Sequence, residues 1–131
     1  MDIRKLIREE LGMMSEPKID DKIILNNYIE AAFFTEEEIE DLGDATMDYI
    51  SDDSLIDAWQ DVKKFILMAG SLLDGMDSEQ IGHDLWLTRN GHGAGFWDRG
   101  LGEKGDALTK IATSMGEKHM FWGEDGKIHI E

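Results

Sequence analysis

A chain of 131 residues with 41% hydrophobic and 32% charged residues is long enough to bury a core as one domain. It has no cysteine, which excludes disulfides and thiolate metal sites, and no apolar run approaches the roughly 20 residues of a membrane-spanning helix. The formal charge of −16 opposes direct contact with nucleic acid or an anionic membrane and favours a partner with a basic surface.

The charge is unevenly placed. Residues 1–80 hold 21 acids against 7 bases, whereas residues 81–131 hold 8 against 6. Glu36 to Asp61 contains eleven acids and no base. One reading is a solvated surface that keeps the protein soluble. The sharper one is an acidic face that competes for the DNA-binding site of another protein. Its contact residues would include Glu36, Glu37, Glu38, Asp41, Asp44, Asp48, Asp52 and Asp53.

In chain order, Ile3, Leu6, Ile7 and Leu11 form one face of an amphipathic helix, with Asp2 as its cap and Arg4, Lys5 and Arg8 on its polar side. Such a helix packs back on the core or serves as a partner-binding, even oligomer-forming, arm. The segment lacks a signal-peptide h-region, so a cytoplasmic location is expected. Gly12 weakens or ends the helix, and Pro17 then marks a boundary that divides the chain into a helix and linker over 1–18 and a domain over 19–131.

A second helix is expected from Asp20 or Asp21 to about Phe34, burying Ile24, Tyr28 and Ala31 or Ala32. Thr35 could cap a further turn ahead of the glutamates, inside an acidic loop over 35–50. Ser51-Asp52-Asp53 opens the longest helix, to about Leu73, with Leu55, Trp59, Val62, Phe65 or Ile66, and Ala69 on its apolar stripe and Gly75 as terminator. Beyond residue 100, Leu101 to Met115 reads as a helix, with Leu108, Ile111, Ala112 and Met115 inward and Gly116 as its stop. Residues 117–122 and 127–130 flank Gly123-Glu124-Asp125-Gly126 as a hairpin.

Between these elements lies the densest stretch, Gly82 to Gly100, with two Trp, two His and five Gly. Asn90-Gly91 is a strong hairpin-turn signal, because both central residues of a type I′ turn need positive φ. That register pairs Arg89 with His92, Leu87 with Ala94, Leu85 with Phe96 and His83 with Asp98. Leu85, Leu87 and Phe96 would face the core. The opposite face would set Trp86 over Gly95 beside Trp97, a surface suited to binding through Asp84, Trp86, Asn90, Trp97 and Arg99. A longer loop from Arg89 to Gly95 could instead cradle an anion.

Catalysis would draw on His83, Arg89, His92 and Asp98, as a His–Asp pair with a cation for a phosphate. No metalloprotease spacing or nucleophile elbow accompanies them. No metal or cofactor is expected, and a binding role is favoured over a small metal- or acid–base-dependent enzyme acting on a nucleotide or phosphate. The fold expectation is α+β, with about four helices packed on a small antiparallel sheet of two hairpins.

Gly82 to Arg99, reading Gly-His-Asp-Leu-Trp-Leu-Thr-Arg-Asn-Gly-His-Gly-Ala-Gly-Phe-Trp-Asp-Arg, resembles the hallmark of a family of small proteins encoded by bacteriophages and other mobile elements. Leu85 stands where that hallmark has an aromatic residue. The resemblance extends more loosely over about residues 24–131, including Tyr28 to Ala32, Gly116-Glu117 and Asp125 to Ile128. It implies a phage early or accessory protein acting in the bacterial host cytoplasm. Together with the segregated acidic surface and the lack of a strong catalytic spacing, it makes binding to a host protein of defence, transcription or nucleic-acid handling the leading expectation. It implies no catalytic residues.

Overall fold

The computed structural model describes residues 19–36 and 47–131. The expected helix over Asp2–Leu11, most of the acidic loop, and Glu37, Glu38, Asp41 and Asp44 lie outside the described residues.

Four helices and one two-stranded antiparallel sheet make an α+β fold among the described residues. Helix α1 spans Asp21–Thr35, and the Asp20 carboxylate caps it by accepting from the backbone N–H of Lys22 and Ile23. Helix α2 spans Asp52–Ala69, with the Ser51 hydroxyl accepting from Ser54 N–H. It ends at Gly70, at φ +52°, before a 3₁₀ turn over Gly70–Leu73, so it stops short of the expected Leu73.

Helix α3, Ser78–Arg89, is the main departure from expectation. It occupies the first strand of the expected central hairpin, and the only hairpin among the described residues is the C-terminal one. The reason is visible at Asn90-Gly91. Gly91 has φ +68°, its N–H bonds Thr88 O at 3.2 Å, and His92 N–H bonds Leu87 O at 3.0 Å. These two bonds are a Schellman helix ending, which asks for the same positive-φ glycine as a tight hairpin turn. From 81 to 89 every residue except His83 is buried, so neither a two-residue nor a 3.6-residue period shows in the sequence.

Helix α4, Glu103–Ser114, buries Leu108 and Ala112. Strands β1 (Met120–Trp122) and β2 (Ile128–Ile130) pair with Met120 opposite Ile130 and Trp122 opposite Ile128, placing Met120, Ile128 and Ile130 inward. The hairpin docks on the start of α2: Ser51 N–H bonds Ile128 O at 2.8 Å, and Ile130 N–H bonds the Ser54 hydroxyl at 3.0 Å.

The core is centred on Tyr28, Phe65, Trp86 and Phe96, all fully buried. Tyr28 meets Trp86 edge-on at 5.3 Å, and Phe65 stacks on Phe96 at 5.5 Å. The pairing of α1 with α3 is the most extensive contact between elements. It depends on Gly82, where a methyl group would overlap the Ile24 carbonyl oxygen and lie 2.9 Å from Tyr28 N. The two helices therefore meet backbone to backbone.

Candidate functional site

The hallmark stretch folds as helix α3 followed by a loop that closes back on it. Its most chemical residues are turned inward. Asp84, fully buried, accepts from Arg99 Nη2 at 2.8 Å and Nε at 3.2 Å, and from Gln80 Nε2 at 2.8 Å. These bonds raise the pKa of the Arg99 guanidinium above its ordinary value and latch the loop onto the helix. Phe96 N–H bonds the Thr88 hydroxyl at 3.2 Å, a second tie between loop and helix.

Arg89 is 3% exposed and spreads its guanidinium over four acceptors. Nε donates to Gly116 O and Nη2 to Met115 O, while Nη1 reaches both Tyr28 Oη and Asp61 Oδ2 at 2.8 to 2.9 Å. It thus joins α1, α2 and the end of α4. Lys118 Nζ lies 2.9 Å from the same Asp61 oxygen. Burial opposes the Asp61 charge, but the bonds from Lys118 and Arg89 outweigh it and hold the carboxyl below its ordinary value.

Burial pushes the Tyr28 phenol up to about 12; the Arg89 cation pulls against that rise and the Asp61 carboxylate adds to it. Folded Tyr28 therefore keeps a proton that the unfolded chain gives up near its ordinary value of 10.0. Its contribution is complete below that value and is lost as pH climbs towards about 12. Tyr28→Phe should cost about 1 kcal/mol at neutral pH. It should also flatten part of the alkaline fall in stability, as read from urea midpoints on either side of pH 10. An unchanged alkaline fall would contradict this role.

The remaining hallmark residues follow the same pattern. Trp86 is fully buried, not set against Gly95 on an open face, and its Nε1 donates to the Thr35 hydroxyl at 2.8 Å. Thr35, expected to cap a further turn, is instead the last residue of α1 and bonds back to Ala31 O. Asn90 Nδ2 donates to Trp86 O, and Asn90 Oδ1 accepts from Lys118 N–H. Trp97 alone presents a large ring to solvent, at 51% exposure.

The residues considered for catalysis are not brought together. His83 is half-buried on α3, His92 lies just past its end and Asp98 is exposed in the 3₁₀ turn. No hydrogen bond or ion pair joins these three among the described residues, and the expected His83–Asp98 and Arg89–His92 pairings do not form. An anion cradle over Arg89 to Gly95 would need the Arg89 guanidinium, which is committed to the core. Among the described residues, no three His, Asp or Glu side chains are grouped to hold a metal ion.

The acidic candidates sit elsewhere. Glu36 is half-buried, 3.6 Å from His119 Nδ1, while Asp48, Asp52 and Asp53 are exposed at the approach to α2 and in its first turn. Beside them, Tyr49 and Trp122 pack edge to face at 5.7 Å, yet remain 50% and 40% exposed. The pair forms because the Ile50–Ile128 bridge carries residue 49 alongside β2. Asp53, Asp57 and Asp61 recur along one edge of α2 at four-residue spacing, and only Asp61 is drawn into the core network. Trp122 falls in the expected hairpin strand and Tyr49 in the expected acidic loop, but their meeting depends on the bridge and has no local signature.

Compared with family models, curated proteins and solved structures, the chain finds no match in any of the three.

Proposed function

We propose that this chain is a small acidic accessory protein of a phage or mobile element that binds and modulates a host protein. The observation that carries this reading is the exposed Tyr49–Trp122 pair beside the exposed acids Asp48, Asp52, Asp53 and Asp57. Rigid aromatic rings supply contact area at low entropic cost, and flanking carboxylates steer a basic partner into place. A partner surface that ordinarily holds nucleic acid has this chemistry, so the acidic face would act by competing for it. The resemblance of Gly82 to Arg99 to the phage hallmark supports the provenance, and the burial of that stretch supports looking for the contact face elsewhere.

The test uses the full chain as bait in bacterial lysate, with Trp122→Ala and the Asp53→Asn/Asp57→Asn double variant alongside. A host protein held by the wild type should bind each variant about 10-fold or more weakly, and wild-type binding should fall as salt rises. Equal retention by all three baits, or by none, would defeat the reading.

A further inference from the structure

On the far side of α2 from Asp53 and Asp57, an apolar trough runs between α1 and α2. One end is a cavity of about 740 Å³ lined by Ile19, Asp20, Asp21, Lys22, Lys63, Ile66 and Leu67. The other, of about 480 Å³, is lined by Leu25, Met47, Leu55, Ile56 and Trp59, and Lys22 borders both. Ile56 and Leu67 stand 53% and 84% exposed on its rim. Trp59, expected in the core, is half-buried in its wall with Lys63 Nζ 4.5 Å from the ring centre. The apolar side chains Leu25, Leu55, Ile56, Trp59, Ile66 and Leu67 along it leave surface that calls for a cover, with Asp20, Asp21, Lys22 and Lys63 as a charged rim at one end.

We propose that the cover is the chain's own N-terminal segment, Asp2–Leu11, docked as a helix in the trough. Three features select this occupant. The segment joins the domain at Ile19, which itself lines the trough. From Ile56 to Leu67 the trough measures about 16 Å along α2, and Ile3 to Leu11 spans about 12 Å as a helix, so the apolar face Ile3, Leu6, Ile7 and Leu11 fits within it. Residues 12–18, including Gly12 and Pro17, can cover up to about 23 Å, enough to reverse direction.

Charge fixes the orientation. With Leu11 near Leu67 and Ile3 near Ile56, Arg4 and Lys5 approach Asp52 at the start of α2. Glu9 and Glu10 then lie at the other end, where Asp20 and Asp21 offset Lys22 and Lys63. The reverse orientation would set Glu9 and Glu10 against Asp52, so the Asp52 end decides. The segment therefore runs antiparallel to α1 and in the same direction as α2. This docking does not rest on the proposed host partner, whose contact face shares only Asp52 with it.

The absence of native cysteine makes disulfide trapping in the full chain a clean test. Two matched pairs, Ile3→Cys/Ile56→Cys and Leu11→Cys/Leu67→Cys, are compared with the swapped pairs Ile3→Cys/Leu67→Cys and Leu11→Cys/Ile56→Cys. Positions 56 and 67 are exposed, so the folded domain tolerates the changes, as an unaltered melting curve verifies. In dilute solution the matched pairs should close within one chain at least about 10-fold faster than the swapped pairs, because docking raises the effective thiol concentration. Equal rates, or no closure in any pair, would overturn the proposal. Covalent dimers from the matched pairs would overturn it too, by assigning the trough to a second copy of the chain.

Discussion

Gly82→Ala is expected to destabilise this protein by about 2 to 3 kcal/mol, lowering its melting temperature by on the order of 10 °C. The sign is the informative part. Alanine in place of glycine within a helix ordinarily stabilises it by about 0.5 to 1 kcal/mol, because the unfolded chain has less backbone freedom to lose. Here the added methyl would meet the Ile24 carbonyl oxygen and Tyr28 N, which are backbone atoms that cannot rotate away. Relief requires α1 and α3 to separate, which loosens Trp86 between Tyr28 and Thr35. Thermal and urea unfolding read the result directly. A variant as stable as the wild type, or more so, would show that the helices do not meet as described.

Arg89→Leu is expected to cost about 3 to 5 kcal/mol, the range for breaking a buried charge pair by removing one partner. The change leaves the carbonyls of Met115 and Gly116 and the Tyr28 hydroxyl without their donor, while Asp61 keeps only Lys118. Arg89→Lys should recover little of this, since one ammonium on a flexible stem cannot reach acceptors on three elements at once. Lys118→Ala, by contrast, removes the more exposed arm of the same network and should cost about 1 kcal/mol or less. Denaturant midpoints for the three variants should rank in that order. Arg89→Leu within about 1 kcal/mol of wild type would mean that the guanidinium does not hold the core together.

These two residues also show what could be read in advance. α2, α4 and the C-terminal hairpin were legible because each has one wet face, so its period survives in the sequence. Helix α1, which leaves Ile23 and Phe34 exposed, was marked instead by its Asp20 cap. Ile24, Tyr28, Leu108 and Ala112 fall inward as their spacing requires. Helix α3 was hidden because it is covered nearly all round, and because Asn90-Gly91 serves a helix ending as well as a hairpin turn.

In the sequence Arg89 reads as a cation for a phosphate and Asp84 as a binding residue. Their charges instead serve the core: a buried charge must be fully partnered, and the partners Asp61 and Arg99 lie 28 and 15 residues away, beyond any local pattern. The concentration of acids was legible as composition. The Tyr49–Trp122 pair was not, since the two rings meet only through a strand bridge.

The account's central claim is that Gly82 to Arg99 is spent on the fold: a helix closed by its own loop, with Asp84, Trp86 and Arg89 directed inward. Nuclear Overhauser contacts across residues 78–98 test it most directly. The account predicts sequential helical contacts from Ser78 to Arg89, a break at Gly91, and close approach of the Phe96 amide to the Thr88 side chain. Cross-strand contacts joining Leu87 to Ala94 and Leu85 to Phe96 backbones would contradict it and restore a hairpin with an open, ligand-facing side.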